Sequence, residues 1–401
     1  LMLAAASIVA VLAIVLAYRG RLTADVVRDT SAPAVVTNLN ALENPSELDP
    51  LLRSVFTEPG ERRTALTNLY TFIASRREAG DRLPNVGALR PLLTREQLAT
   101  LKPSAVVRTR ATHSREVVIW GSVYLASVWL VALIWWMTGI RGDFVLLSAA
   151  HLLTALGFAA LLSRQDPLRD TELFIRYTQL TSLGLLLFGS LSALDFRKVA
   201  RSGLTYLPLA GALVLSAFVI LFGDGPGGSN AKVNFGPVQP IEFIRLLLAL
   251  FLAGYFARRW EVLRDVRGQT VRTIRLPDWL NLPRLDYVLP VVAGVAAALL
   301  FFFLQKDLGP ALFLSCVFLI TYAIARNRIG LVLVGFATLV AGFYVGYTLN
   351  ISSTLAERVA MWQSPWDNSV RGGEQVAQAI WSLYSGGPFG NGLGLGDTGY
   401  V

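Results

Sequence analysis

Nine apolar runs decide what this chain can fold into. They lie at about 1–18, 117–138, 144–163, 177–194, 202–222, 238–257, 287–304, 308–325 and 329–350. In hydrocarbon every backbone N–H and C=O must be satisfied within the protein, so such segments cross as α-helices or as strands of a closed barrel. None shows the alternation of a barrel strand. An 18-residue helix rises about 27 Å, close to the thickness of the hydrocarbon layer, so even the shortest run can cross. The expectation is an all-α, polytopic membrane helix bundle of about nine spans. The charge content agrees: 16% of the 401 residues are charged, against about 25% in a soluble domain.

The first run ends at Tyr18-Arg19 and shows neither a basic n-region nor an A-x-A cleavage pattern, which favours an uncleaved anchor over a signal peptide. Residues 19–115 are charged and punctuated by proline, and read as a small, mainly helical domain outside the bilayer. There Leu66, Leu69, Tyr70 and Ile73 share one helical face that ends at Gly80. Thr94 with Gln97 reads as a capping box for a short helix stopped by Pro103, and Ser46 as the cap of another carrying Leu51, Leu52, Val55 and Phe56. The domain shows no catalytic constellation. His113 beside Arg115 reads as a solvated residue at the membrane edge, and mid-span His151 as hydrogen-bonded to a neighbouring helix. Residues 116–143 are an additional span and linker. The single cysteine, Cys316, can form no internal disulfide, and two histidines in the whole chain exclude a Cys/His zinc site.

Lys and Arg in alternate short loops set the orientation. One set holds thirteen: Arg141, Arg197, Lys198, Arg201, Arg258, Arg259, Arg264, Arg267, Arg272, Arg275, Arg284, Arg326 and Arg328. The other holds five: Arg164, Arg169, Arg176, Lys232 and Lys306. The first set is expected on the cytoplasmic side. That places 19–115, the 223–237 loop, the 305–307 turn and the final loop, 351–401, outside. The net charge of +9 is thus mostly topogenic, which sets nucleic-acid binding aside.

Ionisable residues in or beside spans are costly to keep. Glu242 and Arg245 stand at i, i+3 after Gln239-Pro240, either as an ion pair that eases insertion or as part of a site. Gln305-Lys306-Asp307-Leu308-Gly309-Pro310 joins two spans tightly, as a polar hairpin or as charges held on helix ends to meet a head group. The 223–237 loop offers five glycines and one cation, Lys232, a weak phosphate-site signal.

The final loop collects Trp362, Trp366 and Trp381, suited to the membrane–water interface. Ala377, Ile380, Trp381 and Tyr384 share a face, so 374–385 is expected to be a short interfacial helix. Gly394-x-Gly396-x-x-Gly399 matches the dinucleotide fingerprint but lacks the preceding strand and is discarded. Asp367, flanked by Arg358 and Arg371, is either a general base or a paired surface carboxylate.

Together these pieces resemble the SEDS family (shape, elongation, division and sporulation) of the FtsW/RodA/SpoVE type, over roughly 144–401. Gln239-Pro240-Ile241-Glu242 with Arg245 is similar to the family's Q-P-S-E followed by Lys. Gln305 through Leu312 resembles Q-P-D-L-G-T-A-L, and Arg358 through Gly396, with Gly373, Gln375 and Gly387, resembles the external loop. There are departures. Lys306 stands for the family's Pro, and Arg245 for its Lys. The family's basic-Trp-Ile is Lys232-Val233-Asn234 here. The residue three after Pro365, where the family has its aspartate, is Asn368, one past Asp367. The family also has three helices beyond the loop, with an external Asp-Phe-Ile-Phe-Ala motif, so the chain is expected to be a fragment.

The resemblance implies a ten-helix fold and glycan polymerisation from lipid II in the bacterial cytoplasmic membrane, beside a class B penicillin-binding protein. It implies Asp367 as the catalytic base and Lys232, Gln239, Glu242, Arg245, Gln305, Asp307, Arg358 and Gln375 as substrate contacts. Arg and Lys, or a bound divalent metal (Mg or Mn), would stabilise the leaving pyrophosphate. Two other readings stay open: a lipid II transporter, and a non-catalytic scaffold that recruits the penicillin-binding protein. The 287–350 spans carry almost no ionisable residues to line a transport path.

Overall fold

The computed structural model describes residues 1–29, 36–140, 143–164, 166–192, 194, 203–225, 232–236, 238–265, 285–326, 329–351, 353–366 and 373–396. A helix occupies every one of the nine apolar runs. The six stretches Met2–Thr23, Arg110–Thr138, Phe144–Arg164, Leu204–Phe222, Pro240–Glu261 and Leu308–Ala325 are long and apolar enough to cross a membrane by themselves. Among the described residues, counting the pair Val332–Thr348 and Ser353–Gln363, bent by 97°, as one span makes up to seven. Of the remaining expected spans, Val288–Leu304 is a shorter apolar helix, and Leu173–Leu191 carries Arg176 and Gln179 in its first half. The chain is a multi-pass membrane protein. It forms two compact units, residues 1–194 with 374–401, and residues 195–373.

The first unit contains helices α1 (Met2–Asp29), α2 (Asp49–Arg53), α3 (Pro59–Glu78), α4 (Arg95–Leu101), α5 (Arg110–Thr138), α6 (Phe144–Arg164) and α7 (Leu173–Leu191). Its membrane core joins Ala10, Ala13 and Ala17 of α1 to Tyr124, Val128, Val131 and Trp135 of α5, with Phe158 and Phe174 from α6 and α7. His151, fully buried, bonds across helices as expected. Its Nδ1 is 2.7 Å from the Tyr124 hydroxyl and its Nε2 3.2 Å from Ser7 Oγ.

The domain before α5 has its own core of Leu39, Leu42, Leu48, Leu51, Leu52, Leu69, Ile73, Leu83, Val86, Leu89 and Leu101. A two-residue parallel pairing, β1 (Thr37–Asn38) on β2 (Ala105–Val106), closes its entry against its exit. The Thr94–Gln97 capping box is present: Gln97 N donates to Thr94 Oγ1 at 3.3 Å, and Thr94 N to Gln97 Oε1 at 2.9 Å. The expected cap at Ser46 is not used. Asn44 caps a 3-10 turn, Pro45–Leu48, and Glu47 Oε1 returns to Asn44 N at 2.9 Å. Proline at the first position of the turn favours that register over a helix opening at Ser46.

His113 also departs from expectation. It is buried, with Nδ1 2.8 Å from Glu172 Oε1 and its ring stacked on Tyr18. Glu172 belongs to the α6–α7 loop, onto which the whole domain is docked. Val86 N donates to Arg169 O at 3.0 Å and Val107 N to Leu168 O at 2.9 Å. Arg169 donates from Nε to Lys102 O at 2.9 Å and from Nη2 to Pro103 O at 2.7 Å. Arg108 donates to the carbonyls of Pro84 (2.7 Å) and Pro167 (3.1 Å) and lies 3.6 Å from Glu172. Burial pulls its pKa below the ordinary arginine value, an effect opposed by Glu172, Asp166 and Asp170.

The second unit packs α8 (Leu207–Phe222), α9 (Pro240–Asp265), α10 (Leu285–Leu304), α11 (Leu308–Arg326) and α12 (Gly330–Thr348), with α13 (Ser353–Gln363) set almost at a right angle to α12. Its core runs from Val219 and Ile244 through Phe251, Tyr255 and Phe256 to Phe302, Leu314 and Tyr322. The helix α14 (Gly373–Gly386) falls where the apolar face over 374–385 places it, with Ala377 buried and Trp381 and Tyr384 exposed. The basic residues Arg141, Arg197, Lys198, Arg201, Arg267, Arg272, Arg275, Arg284 and Arg328 lie outside the described residues.

Candidate active site

One end of the second unit gathers most of the residues singled out in the sequence. The segment before α9 is folded by two small antiparallel bridges. Asp224 pairs with Asn234, and Phe235 with Val238. Between them Lys232 donates its backbone N–H to Gln305 O at 3.0 Å, fixing this loop to the α10–α11 turn. The start of α9, the end of α10 and the start of α11 therefore meet there. Lys232 and Gln239 are exposed.

Pro240 opens α9, where a missing N–H costs nothing. Glu242 follows in the first turn, where the helix dipole favours its charge. It accepts from Arg245 Nη1 at 2.7 Å; the Glu242 side chain is 58% exposed and that of Arg245 32%. A pair this wet contributes about 0–1 kcal/mol to stability. The Arg245 guanidinium lies 6.0 Å from the Phe313 ring centroid, and its Nε is buried without a hydrogen-bond partner among the described residues.

The turn itself is a Schellman motif. Lys306 N donates to Phe303 O at 3.0 Å and Asp307 N to Phe302 O at 3.1 Å. The motif needs a left-handed residue, and Lys306 takes it with φ +58°. A proline here could neither reach that φ nor donate the N–H, so the departure from Q-P-D is a change in backbone geometry. Gln305 is fully buried. Its Nε2 donates to Ser216 O at 3.4 Å, and its Oε1 has no hydrogen-bond partner among the described residues. Asp307 caps α11, its Oδ1 accepting from Gly309 N at 3.3 Å.

Arg358 stands exposed on α13, a helix that sequence reading left inside the loop. Ser353-Thr354 before Leu355-Ala356-Glu357 is the signal that marks its start. Asp367 and Arg371 lie outside the described residues, as does Asn368. Gln375 belongs to the first unit, exposed on α14. Among the described residues no group of three His, Cys, Asp or Glu is placed to hold a metal. The arrangement places the cations Lys232 and Arg245 near the helix-end carboxylates of Glu242 and Asp307.

Known proteins agree on where the family's part of the chain lies. The FtsW/RodA/SpoVE profile, described as "Cell cycle protein", matches residues 143–401. The chain is 28% identical over 208 residues to a protein named peptidoglycan glycosyltransferase RodA from Mycobacterium leprae, covering 51% of this chain and 42% of that one. The Mycobacterium tuberculosis (strain H37Rv) protein of the same name is 30% identical over 209 residues, with the same coverage of each chain. A probable peptidoglycan glycosyltransferase FtsW from Aeromonas salmonicida is 30% identical over 190 residues, 46% of this chain and 42% of that one. The chain thus matches about two fifths of the length of these relatives. No solved structure matches it. With well over half of its residues in one family's profile, the chain belongs to the FtsW/RodA/SpoVE family.

Proposed function

We propose that this protein is a peptidoglycan glycosyltransferase that polymerises lipid II into glycan strands during cell elongation or division. It would act in the bacterial cytoplasmic membrane, with 19–115 and 351–401 outside. The observation that carries the reading is the joined end of the second unit. There Glu242, Arg245, Gln305 and Asp307 come from three helix ends, and Lys232 from the loop before α9, which its backbone bond to Gln305 ties to the α10–α11 turn. Among the described residues, two polar atoms there, Arg245 Nε and Gln305 Oε1, have no hydrogen-bond partner. Such atoms are rare in folded proteins and mark a polar spot held without its full set of bonds.

In the reaction the acceptor sugar hydroxyl attacks the anomeric carbon of the donor. The bond from that carbon to the lipid pyrophosphate breaks, and the pyrophosphate leaves with the bonding electrons. Asp367 is the proposed base that takes the hydroxyl proton. Lys232, Arg245 and Arg358 are the proposed partners of the departing pyrophosphate, where cations act on charge as it develops. A phosphate leaving group needs little help from an acid, so the paired carboxylates of a glycosidase are not required. Gln239, Glu242, Gln305, Asp307 and Gln375 are proposed as further substrate contacts. The described residues do not make a dedicated metal site. A divalent cation, Mg or Mn, is proposed only as a companion of the donor's pyrophosphate, as Mg commonly binds through substrate phosphates. No step is routed through it. A class B penicillin-binding protein is the proposed partner.

The test is full-length protein in liposomes supplied with lipid II. Glycan chains are expected, and none from Asp367→Ala. Undiminished chains from that variant would remove Asp367 from the site. Movement of lipid II across the bilayer without polymerisation would favour transport. Neither activity, with co-purification of a transpeptidase, would favour the scaffold.

A further inference from the structure

Helix α1 precedes the region matched to the family, so the family does not account for it. Its contacts do. Ala6, Ala10, Ala13 and Ala17 recur at spacings of four, three and four, and all are buried. Small residues in that pattern let membrane helices approach closely. Polar contacts hold α1 in register: Ser7 with His151 at 3.2 Å, and the Tyr18 hydroxyl with Ser114 Oγ.

The stripe continues to Gly20, and there its partner changes. A Cβ at Gly20 would collide with the carbonyl of Leu393. On the other side Gly394, at φ +80°, lies against Ala17 O and Arg21 N; an added Cβ would stand 2.6 Å from that nitrogen. Gly394 is buried while its neighbours Asn391–Leu393 and Leu395–Gly396 are exposed. Both segments belong to the same compact unit. Two glycines therefore face each other backbone to backbone, and neither leaves room for a side chain.

We propose that α1 is the seat of the glycine run of the final loop, and that the Gly20–Gly394 contact is a positioning contact for that loop during polymerisation. This rests on the glycosyltransferase reading for its effect on activity, but not for the seating itself. A chain as rich in glycine as 386–396 has many conformations to choose from. The fixed peptide groups of α1 between Ala17 and Arg21 select one. Helix α1 and the domain it carries then serve the part of the final loop that begins with α14 and Gln375.

Gly20→Ala is the informative variant, because alanine favours the helix and α1 keeps its fold. Ordinary contact requires the two backbones to part by about 1 Å, a misplacement that can cost about a hundredfold in rate. Gly121→Ala on α5, with nothing within 4 Å of the added carbon, is the control. Full-length proteins in liposomes are compared by hydrogen exchange over 386–396 and by lipid II polymerisation. Gly20→Ala is expected to speed exchange across that stretch and to lower kcat with KM little changed and the unfolding midpoint kept. Gly121→Ala should move none of these. Unchanged exchange in Gly20→Ala would overturn the seating. Faster exchange with full kcat would overturn the positioning role. Should the wild type make no glycan, the glycosyltransferase reading fails, and exchange alone still decides the seating.

Discussion

Replacing Asp307 separates two jobs that one carboxylate can do. It precedes α11 and accepts from Gly309 N at 3.3 Å, the geometry of an N-cap with a long bond. Losing such a cap to alanine costs about 0.5–2 kcal/mol, and the length of this bond puts Asp307→Ala near 1 kcal/mol. Asparagine caps as well as aspartate, so Asp307→Asn keeps that term and loses only the attraction of the charge to the helix dipole, about 0.3–1 kcal/mol. Thermal unfolding in detergent should therefore rank wild type, Asn and Ala in falling order, with Asn close to wild type. Activity should rank differently. If the carboxylate meets the substrate, Asn and Ala lose polymerisation together, on the order of a hundredfold, the scale on which single stabilising groups act. An Asn variant with full activity would show that Asp307 is a cap and nothing more. An Ala variant as stable as wild type would refute the capping argument itself.

Lys306→Gly should stabilise the protein by about 1 kcal/mol by relieving a left-handed lysine, and Lys306→Pro, which restores the family's residue, should destabilise it; paired unfolding midpoints check both. Arg108→Ala removes a cation from between the domain that precedes α5 and the α6–α7 loop, where its side chain is 10% exposed and that of Glu172 13%. Breaking a pair so buried costs about 3–5 kcal/mol, seen as proteolysis around 84–108 at protease levels that spare the wild type. Gln305→Met removes an unpartnered Oε1 and one long hydrogen bond, so stability should change little. A loss of polymerisation in that variant would then report a substrate contact.

The helices were legible because hydrocarbon leaves a chain few options. Each apolar run is a helix, with ends displaced by a few residues where a polar residue joins, as at Arg176, inside a helix that opens at Leu173 rather than 177. The capping box at Thr94 was readable because its two partners are three residues apart. What escaped depends on distant partners. His113 sits beside Arg115 and looked solvated, yet Glu172, 59 residues away, and Tyr18 from α1 bury it. The seat at Gly20 carries no signal in sequence, since a glycine reveals its neighbour only when the fold supplies one. At the candidate site the motifs gave the residues, but not that Gln305 would be buried, that Lys306 would replace a proline's geometry with a Schellman turn, or that Asp307 would cap a helix.

The activity proposed for this chain is glycan synthesis at the family's site. Full-length protein reconstituted with labelled lipid II, its products resolved by size, tests it most directly. A ladder of lengthening glycan strands that vanishes in Asp367→Ala is expected. Lipid II recovered unpolymerised from a folded wild-type protein, with its expected partner present, would contradict it.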